Sequence, residues 1–341
     1  MIRPGPRNAL TDVAGLAVGS ADDARARTGV TVVLPEAPAL ACIDVRGGSP
    51  GTVNATALGP AMVNRDVDGI VLSGGSGFGL VAVTGVASWL AERGRGRKQG
   101  DWPVPLVAGV NIGDLANGGD KGWDCAAPPY HALAKAAADA ASADDVVRQG
   151  NAGVGMGAVS GPFKGGQGTA SAFDPETGVT LAALICVNSA GSVAMPGQPT
   201  MWAWHLEHDE ELGGQPTPAR PTGHTFETKH GINQATTIGL IATDARLPHE
   251  HLLRLAQMGQ DGFAYAIRPI HSPLDGDVLF GLTTARVDVS ADPHTLARLG
   301  AVAADVVARA VMRGVYEAED VGEHRSYRAA WGDRLRAGPR R

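Results

Sequence analysis

Six short runs rich in β-branched and aliphatic residues limit what this chain can become: residues 30–34, 70–72, 104–110, 181–187, 236–243 and 278–284. Their length and composition predict buried strands. Helical patterns lie between them. Residues 80–93 are apolar nearly all round, 131–141 are rich in alanine, and 250–267 carry Leu252, Leu253, Leu255 and Ala256 on one side. Asp292-Pro293 is a helix start, a capping carboxylate followed by proline at the first position. That helix runs through Ala297, Val302, Val306 and Val307 towards Gly314. Strands and helices mix without strict alternation, which predicts a layered α/β or α+β fold.

With 341 residues, 44% of them hydrophobic, the chain can bury a large core without a disulfide or metal staple. A net charge of −6 argues against nucleic acid as the main partner, because phosphate binding needs a basic face. Cys42, Cys125 and Cys186 are far apart and show no zinc spacing, so free buried thiols in a reducing compartment are expected. His205 and His208 lie among acids, but that run reads as a solvated face; neither a metal nor another cofactor is expected. The first residues carry no apolar run and no uncharged stretch is long enough for a bilayer. The expectation is a cytoplasmic protein with no membrane partner.

Residues 213–233 begin as a proline- and glycine-rich linker and lead straight into the apolar strand that starts at Thr236. A flexible loop feeding a buried strand with threonine at its first position suits a self-cleaving precursor; an ordinary surface loop fits the same pattern. The 47 glycines cluster between apolar runs. One cluster, Ser73-Gly74-Gly75-Ser76-Gly77-Phe78-Gly79, follows a strand and opens a helix, yet neither dinucleotide nor P-loop spacing is present. Tight strand–helix packing is the simpler reading, with backbone N–H groups of Ser73, Gly74 and Gly75 lining a substrate cleft as an alternative. Lys164 stands alone among glycines, either solvated or held in a cleft. Asn188 ends a strand, as a turn residue or as an N–H donor to an oxyanion. In Asp275-Gly276-Asp277 an extended backbone would place both carboxylates on one face, where they can hold an ammonium.

Together these motifs resemble, in order and over nearly the whole chain, the self-processing family that includes L-aminopeptidase/D-esterase, β-peptidyl aminopeptidases and nylon-oligomer (6-aminohexanoate oligomer) endohydrolases. The matching segments are residues 8–16, 44–52 and 72–80, the Lys164 cluster, Val187-Asn188, residues 241–245 and Asp275-Gly276-Asp277. Threonine at 236, the Asp-Gly-Asp motif and the tract Met201-Trp202-Ala203-Trp204 with Glu210-Glu211-Leu212-Gly213-Gly214 look most like the nylon-oligomer branch.

The resemblance implies one domain with a four-layer αββα sandwich, similar to N-terminal-nucleophile hydrolases but differently connected. It implies cleavage between Ala235 and Thr236 into fragments 1–235 and 236–341, with Thr236 as nucleophile and Lys164, Asn188, Asp275 and Asp277 as its partners. The substrate would be a small or oligomeric amide, and the assembly a homo-oligomer, a tetramer of processed heterodimers. Two positions depart from the pattern. Ala235 stands where relatives usually carry Asn or Gly, and Gly113 where the nylon hydrolases place a tyrosine that lines the site, which widens the cleft. The alternatives are an aminopeptidase acting on short peptides, an acyltransferase sharing the same covalent intermediate, and a non-catalytic ligand-binding protein.

Overall fold

The computed structural model describes residues 1–218, 226–229, 235–290 and 292–335. Its eleven principal strands are β1 (Leu16–Asp23), β2 (Thr28–Pro35), β3 (Ala39–Val45), β4 (Thr52–Val53), β5 (Asp66–Val67), β6 (Gly69–Ser73), β7 (Val107–Asn111), β8 (Gly166–Asp174), β9 (Val179–Asn188), β10 (Thr236–Ala245) and β11 (Val278–Val287). They form a five-stranded sheet, β1-β2-β6-β7-β4, and a six-stranded sheet, β8-β9-β10-β11-β3-β5. The pairs β6–β7 and β10–β11 are parallel and the others antiparallel. The main helices are α1 (Ala82–Glu92), α2 (Tyr130–Asp139), α3 (His249–Gly259), α4 (Asp261–Ala266) and α5 (Pro293–Tyr316).

Alternation along the strands generates three apolar layers. Val30, Val32 and Leu34 of β2 pack with Val83, Val86 and Leu90 of α1 and with Ala134 and Ala137 of α2. Val33, Ile70 and Leu72 face the other way, towards Ala182, Leu184, Ile238, Leu240 and Phe280 of the second sheet. The opposite parity of that sheet, Ala183, Ile185, Ile241 and Leu279, meets α3, α4 and α5 through Leu252, Phe263, Val307 and Val311. A period of two sends successive side chains to opposite faces, so strands apolar at both parities need cover on both sides. The result is the αββα sandwich.

The predicted strand 104–110 is divided. Val104 closes a separate hairpin (Arg97–Gln99 with Trp102–Val104), and β7 starts at Val107. Pro105 lies between them and has no N–H for the ladder. The predicted helix 250–267 is two segments that meet at Gln260. The cap of α5 is as expected: the Asp292 carboxylate accepts the N–H groups of His294 at 2.8 Å and Thr295 at 3.0 Å, with Pro293 next.

Arg309 of α5 is buried, and its guanidinium donates to Glu211 (2.8 Å), the Ser171 carbonyl (3.0 Å) and Asn8 Oδ1 (3.1 Å). The N-terminal segment, the glutamate tract and the long helix thus share one ion pair. Of the predicted linker 213–233, Gly214 and Gln215 are held through their N–H groups by the Glu207 carboxylate at 3.0 and 2.6 Å; residues 219–225 and 230–233 lie outside the described residues. All three cysteines are free, but Cys125 is exposed, so burial holds for Cys42 and Cys186 alone. Among the described residues, no helix is long and apolar enough to cross a membrane.

Candidate active site

Asn188, the last residue of β9, is the direct antiparallel partner of Thr236, the first residue of β10. Both have the parity of Ala182, Leu184, Ile238 and Leu240, which face the space between the sheets. Their side chains therefore project to the same side, at the end of the inter-sheet layer, within reach of each other. On the other flank Asp275-Gly276-Asp277 leads into β11, and Ala235 forms a parallel bridge with Asp275. The bridge brings the Gly276 N–H to the Ala235 carbonyl oxygen at 2.9 Å. The Thr236 hydroxyl lies on that same oxygen, at 2.5 Å.

Gly276 owes its identity to this crowding. A Cβ there would sit 2.5 Å from the Ser49 carbonyl oxygen and 3.0 Å from Thr236 Oγ1. A cleft of about 190 Å³ opens on the 235–236 bond, lined by Ala235 and Thr236 with Ser49, Ser76, Gly77, Asn111, Gly113 and Leu274. Ser73, Gly74 and Gly75 stand behind this wall, which Ser76 and Gly77 form instead. The Gly75 N–H donates to Asp114 at 2.7 Å, and Cβ atoms at Gly74 and Gly75 would strike Asp114 and Tyr130. That cluster packs around a buried carboxylate; the backbone it offers to the cleft belongs to the next two residues.

The Asn188 amide has both ends occupied. Its oxygen accepts from Lys229 Nζ (2.7 Å), Asn117 Nδ2 (3.0 Å) and the Val159 N–H (3.0 Å). Its nitrogen donates to the Gly113 carbonyl at 3.1 Å. Gly113 thus lies in the cleft wall and receives one Asn188 N–H; among the described residues the amide's second N–H has no acceptor.

Among the described residues the two aspartates share no ammonium. Asp275 accepts from the Ala190 N–H at 3.2 Å and from the Ser272 N–H and hydroxyl at 3.0 and 2.6 Å. Asp277 accepts from the Thr237 N–H at 2.7 Å and from the His271 N–H and Nδ1 at 3.0 and 2.9 Å. Both are fully buried. Burial, and then the neighbouring Asp277 charge, push Asp275 above the usual carboxylate range. Each carboxylate spends its oxygens on backbone N–H groups and one neighbouring side chain, which fixes the start of β10 and the turn beside it.

Lys164 is fully buried with Nζ on the carbonyls of Gly155 and Gly165, both at 2.8 Å. Among the described residues it makes no hydrogen bond or ion pair to Thr236, Asp275 or Asp277. Burial pushes it down to about 7, against smaller opposing effects of Cys186 and Asp114. Lys229 is the cation on which Asp275 acts; it too is pushed down to about 7 by burial, and Asp275 is the largest influence the other way. Sequence reasoning passed over Lys229 as part of a polar loop. It also missed Asp114, next to the quoted Gly113, and His271, which no local pattern marks. Among the described residues no group of three or more His, Cys, Asp or Glu is placed to hold a metal ion.

The arrangement sets a hydroxyl against a peptide carbonyl whose oxygen already has a backbone donor, beside the Asn188 amide, in the wall of a cleft. Comparison with known proteins points the same way. A family model described as Peptidase family S58 matches residues 8–328. An uncharacterized aminopeptidase of Mycobacterium tuberculosis is 39% identical over 347 residues, covering 94% of this chain and 97% of the relative. A 6-aminohexanoate-oligomer endohydrolase of Paenarthrobacter ureafaciens is 28% identical over 316 residues, 88% of this chain and 84% of that one. Among solved structures, the L-aminopeptidase D-Ala-esterase/amidase of Ochrobactrum anthropi, described as a variant of the Ntn hydrolase fold, superposes with a TM-score of 0.68 at 23% identity, covering 94% of this chain and 89% of that one.

Proposed function

Because this chain belongs to peptidase family S58 and is thereby an amide hydrolase, we propose that Thr236 is its nucleophile and that the chain frees it by cutting its own 235–236 bond. The observation that carries this reading is the Ala235 carbonyl, whose oxygen meets the Gly276 N–H at 2.9 Å and lies against the Thr236 hydroxyl.

In the self-cleavage, Thr236 Oγ adds to the Ala235 carbonyl carbon, the Gly276 N–H holds the oxyanion, and the Asn188 amide, directly across the ladder from Thr236, serves as a second donor. The C–N bond then breaks, the nitrogen takes a proton, and an ester links Ala235 to Thr236 Oγ. Water hydrolyses the ester, which releases the Ala235 carboxylate and restores the hydroxyl beside a free α-amine. That amine titrates near pH ~8 and serves as base for its own hydroxyl. Asp275 and Asp277 flank the new terminus and favour its charged form between turnovers. An amide substrate in the cleft acylates Thr236, the spare N–H of Asn188 stabilises the oxyanion, and water deacylates the enzyme. Lys164, whose ammonium the Gly155 and Gly165 carbonyls hold, takes no direct part in the step.

The substrate is a linear amide of the nylon-oligomer type, entering a cleft that glycine at 113 leaves wide. A second reading, an aminopeptidase on short peptides, is favoured by the 39% identity to a relative of that name. Parallel assays on 6-aminohexanoate oligomers and on peptide amides separate the two. The tetramer of processed heterodimers belongs to the same proposal and is tested by sedimentation of the processed protein.

The central test is a denaturing gel. Wild-type protein is expected as two fragments ending and starting at the 235–236 bond, with Thr236→Ala whole and inactive. Persistent full-length wild type with amidase activity intact overturns the reading.

A further inference from the structure

Lys229 lies upstream of the proposed cut and meets the end of β9 twice. Its N–H donates to the Ala190 carbonyl at 2.9 Å, next to a bridge between Thr228 and Gly191. Its ammonium returns to Asn188, at 2.7 Å from Oδ1 and 3.3 Å from the main-chain oxygen. Backbone and side chain of one residue thus grip both sides of the strand end that pairs with Thr236.

Of the three donors on Asn188 Oδ1 among the described residues, Lys229 is the closest and the one cation. A charged donor binds an amide oxygen more tightly than a neutral one and draws electron density away from the amide nitrogen, which strengthens its N–H as a donor. Holding the oxygen also decides which end of the amide faces Gly113 and the cleft. Burial pulls the Lys229 amine down to about 7, and Asp275, within electrostatic reach, is the largest influence that opposes this and favours the ammonium. Asn117 and Val159 position the amide, but neither brings charge.

We propose that Lys229 is a positioning residue for cleavage of the 235–236 bond, acting through Asn188, whose amide its ammonium orients and polarises. This rests on the self-processing reading above. Lys229 and Asn188 both lie on the fragment upstream of the cut, and Lys229 holds Asn188 while the 235–236 bond is still whole.

The test follows pulse-labelled full-length chain on denaturing gels, alongside thermal melting of the uncut protein. Lys229→Met is expected to cleave about tenfold or more slowly, as loss of a charged hydrogen bond implies, while melting close to wild type. Lys229→Arg, which keeps the charge, is expected to recover most of the rate. In an Asn188→Ala background Lys229→Met is expected to add no further slowing, because the two act as one unit. Should Lys229→Met fail to fold, Lys229→Gln takes its place with the same expectations. Wild-type cleavage rates in the neutral variants overturn the proposal, and so does equal slowing by Met and Arg or full additivity with Asn188→Ala. A wild-type chain that never cleaves removes the parent reading instead, so the two failures are told apart.

Discussion

The backbone N–H of Gly276 donates to the Ala235 carbonyl oxygen at 2.9 Å, across the parallel edge between β10 and the turn that precedes β11. Short of proline, no substitution deletes a backbone donor, but one can displace it. In Gly276→Ala the new methyl would fall 2.5 Å from the Ser49 carbonyl oxygen and 3.0 Å from Thr236 Oγ1, so the turn must move. Loss of one oxyanion donor is worth roughly 10²–10³ in rate. Self-cleavage of Gly276→Ala is expected to slow by about that factor on a denaturing-gel time course. Cleavage at the wild-type rate would show that this N–H is not used.

Lys164 ties stability to alkaline pH. Burial lowers its folded value to about 7, while an unfolded lysine titrates near ~10.4. Between these values the unfolded chain binds the extra proton, so stability rises with pH across that window. Below it the folded state carries the full cost of a buried ammonium. Chemical denaturation from pH 7 to pH 9 is expected to show increasing stability, with a shallower rise in Lys164→Met. An identical slope in the variant would mean that Lys164 does not change protonation on folding.

Arg309 and Glu211 test the scaffold apart from the chemistry. Arg309 is buried, and its loss leaves the Glu211 carboxylate, the Ser171 carbonyl and Asn8 short of a donor. Breaking a buried pair from one side costs about 3–5 kcal/mol. Arg309→Met is expected to lower unfolding stability in urea by that amount, while the molecules that remain folded still cleave at the 235–236 bond. A loss of cleavage greater than the loss of folded protein would place this ion pair in the active-site machinery.

Much of the fold was legible because its signals are local. Apolar residues at both parities of residues 181–187 and 236–243 require cover on both faces, and the Asp292-Pro293 cap lies within one turn of the helix it starts. The same period of two puts Asn188 and Thr236 on one face once the register is known. Where local rules stopped, expectations stopped with them. Asp275 and Asp277 were read as a pair open to an ammonium, yet each turns to backbone N–H groups, because a buried carboxylate at a strand end meets orphan donors first. For Ser73, Gly74 and Gly75 tight packing is the simpler reading and the cleft the alternative; the structure favours packing, because the missing side chains of Gly74 and Gly75 make room for Asp114 and Tyr130.

By itself, then, the sequence marked several central strands and helices through periodicity and capping, which act over a few residues, while the layer order and the candidate nucleophile rested on the resemblance carried by its ordered motifs. Only the tertiary structure decided that Lys229 should close on Asn188, that Gly276 should reach the Ala235 carbonyl, and that Lys164 should end on two glycine carbonyls. Those contacts join segments distant in the chain, and their partners are chosen by sheet register and loop closure rather than by any pattern the neighbouring residues carry.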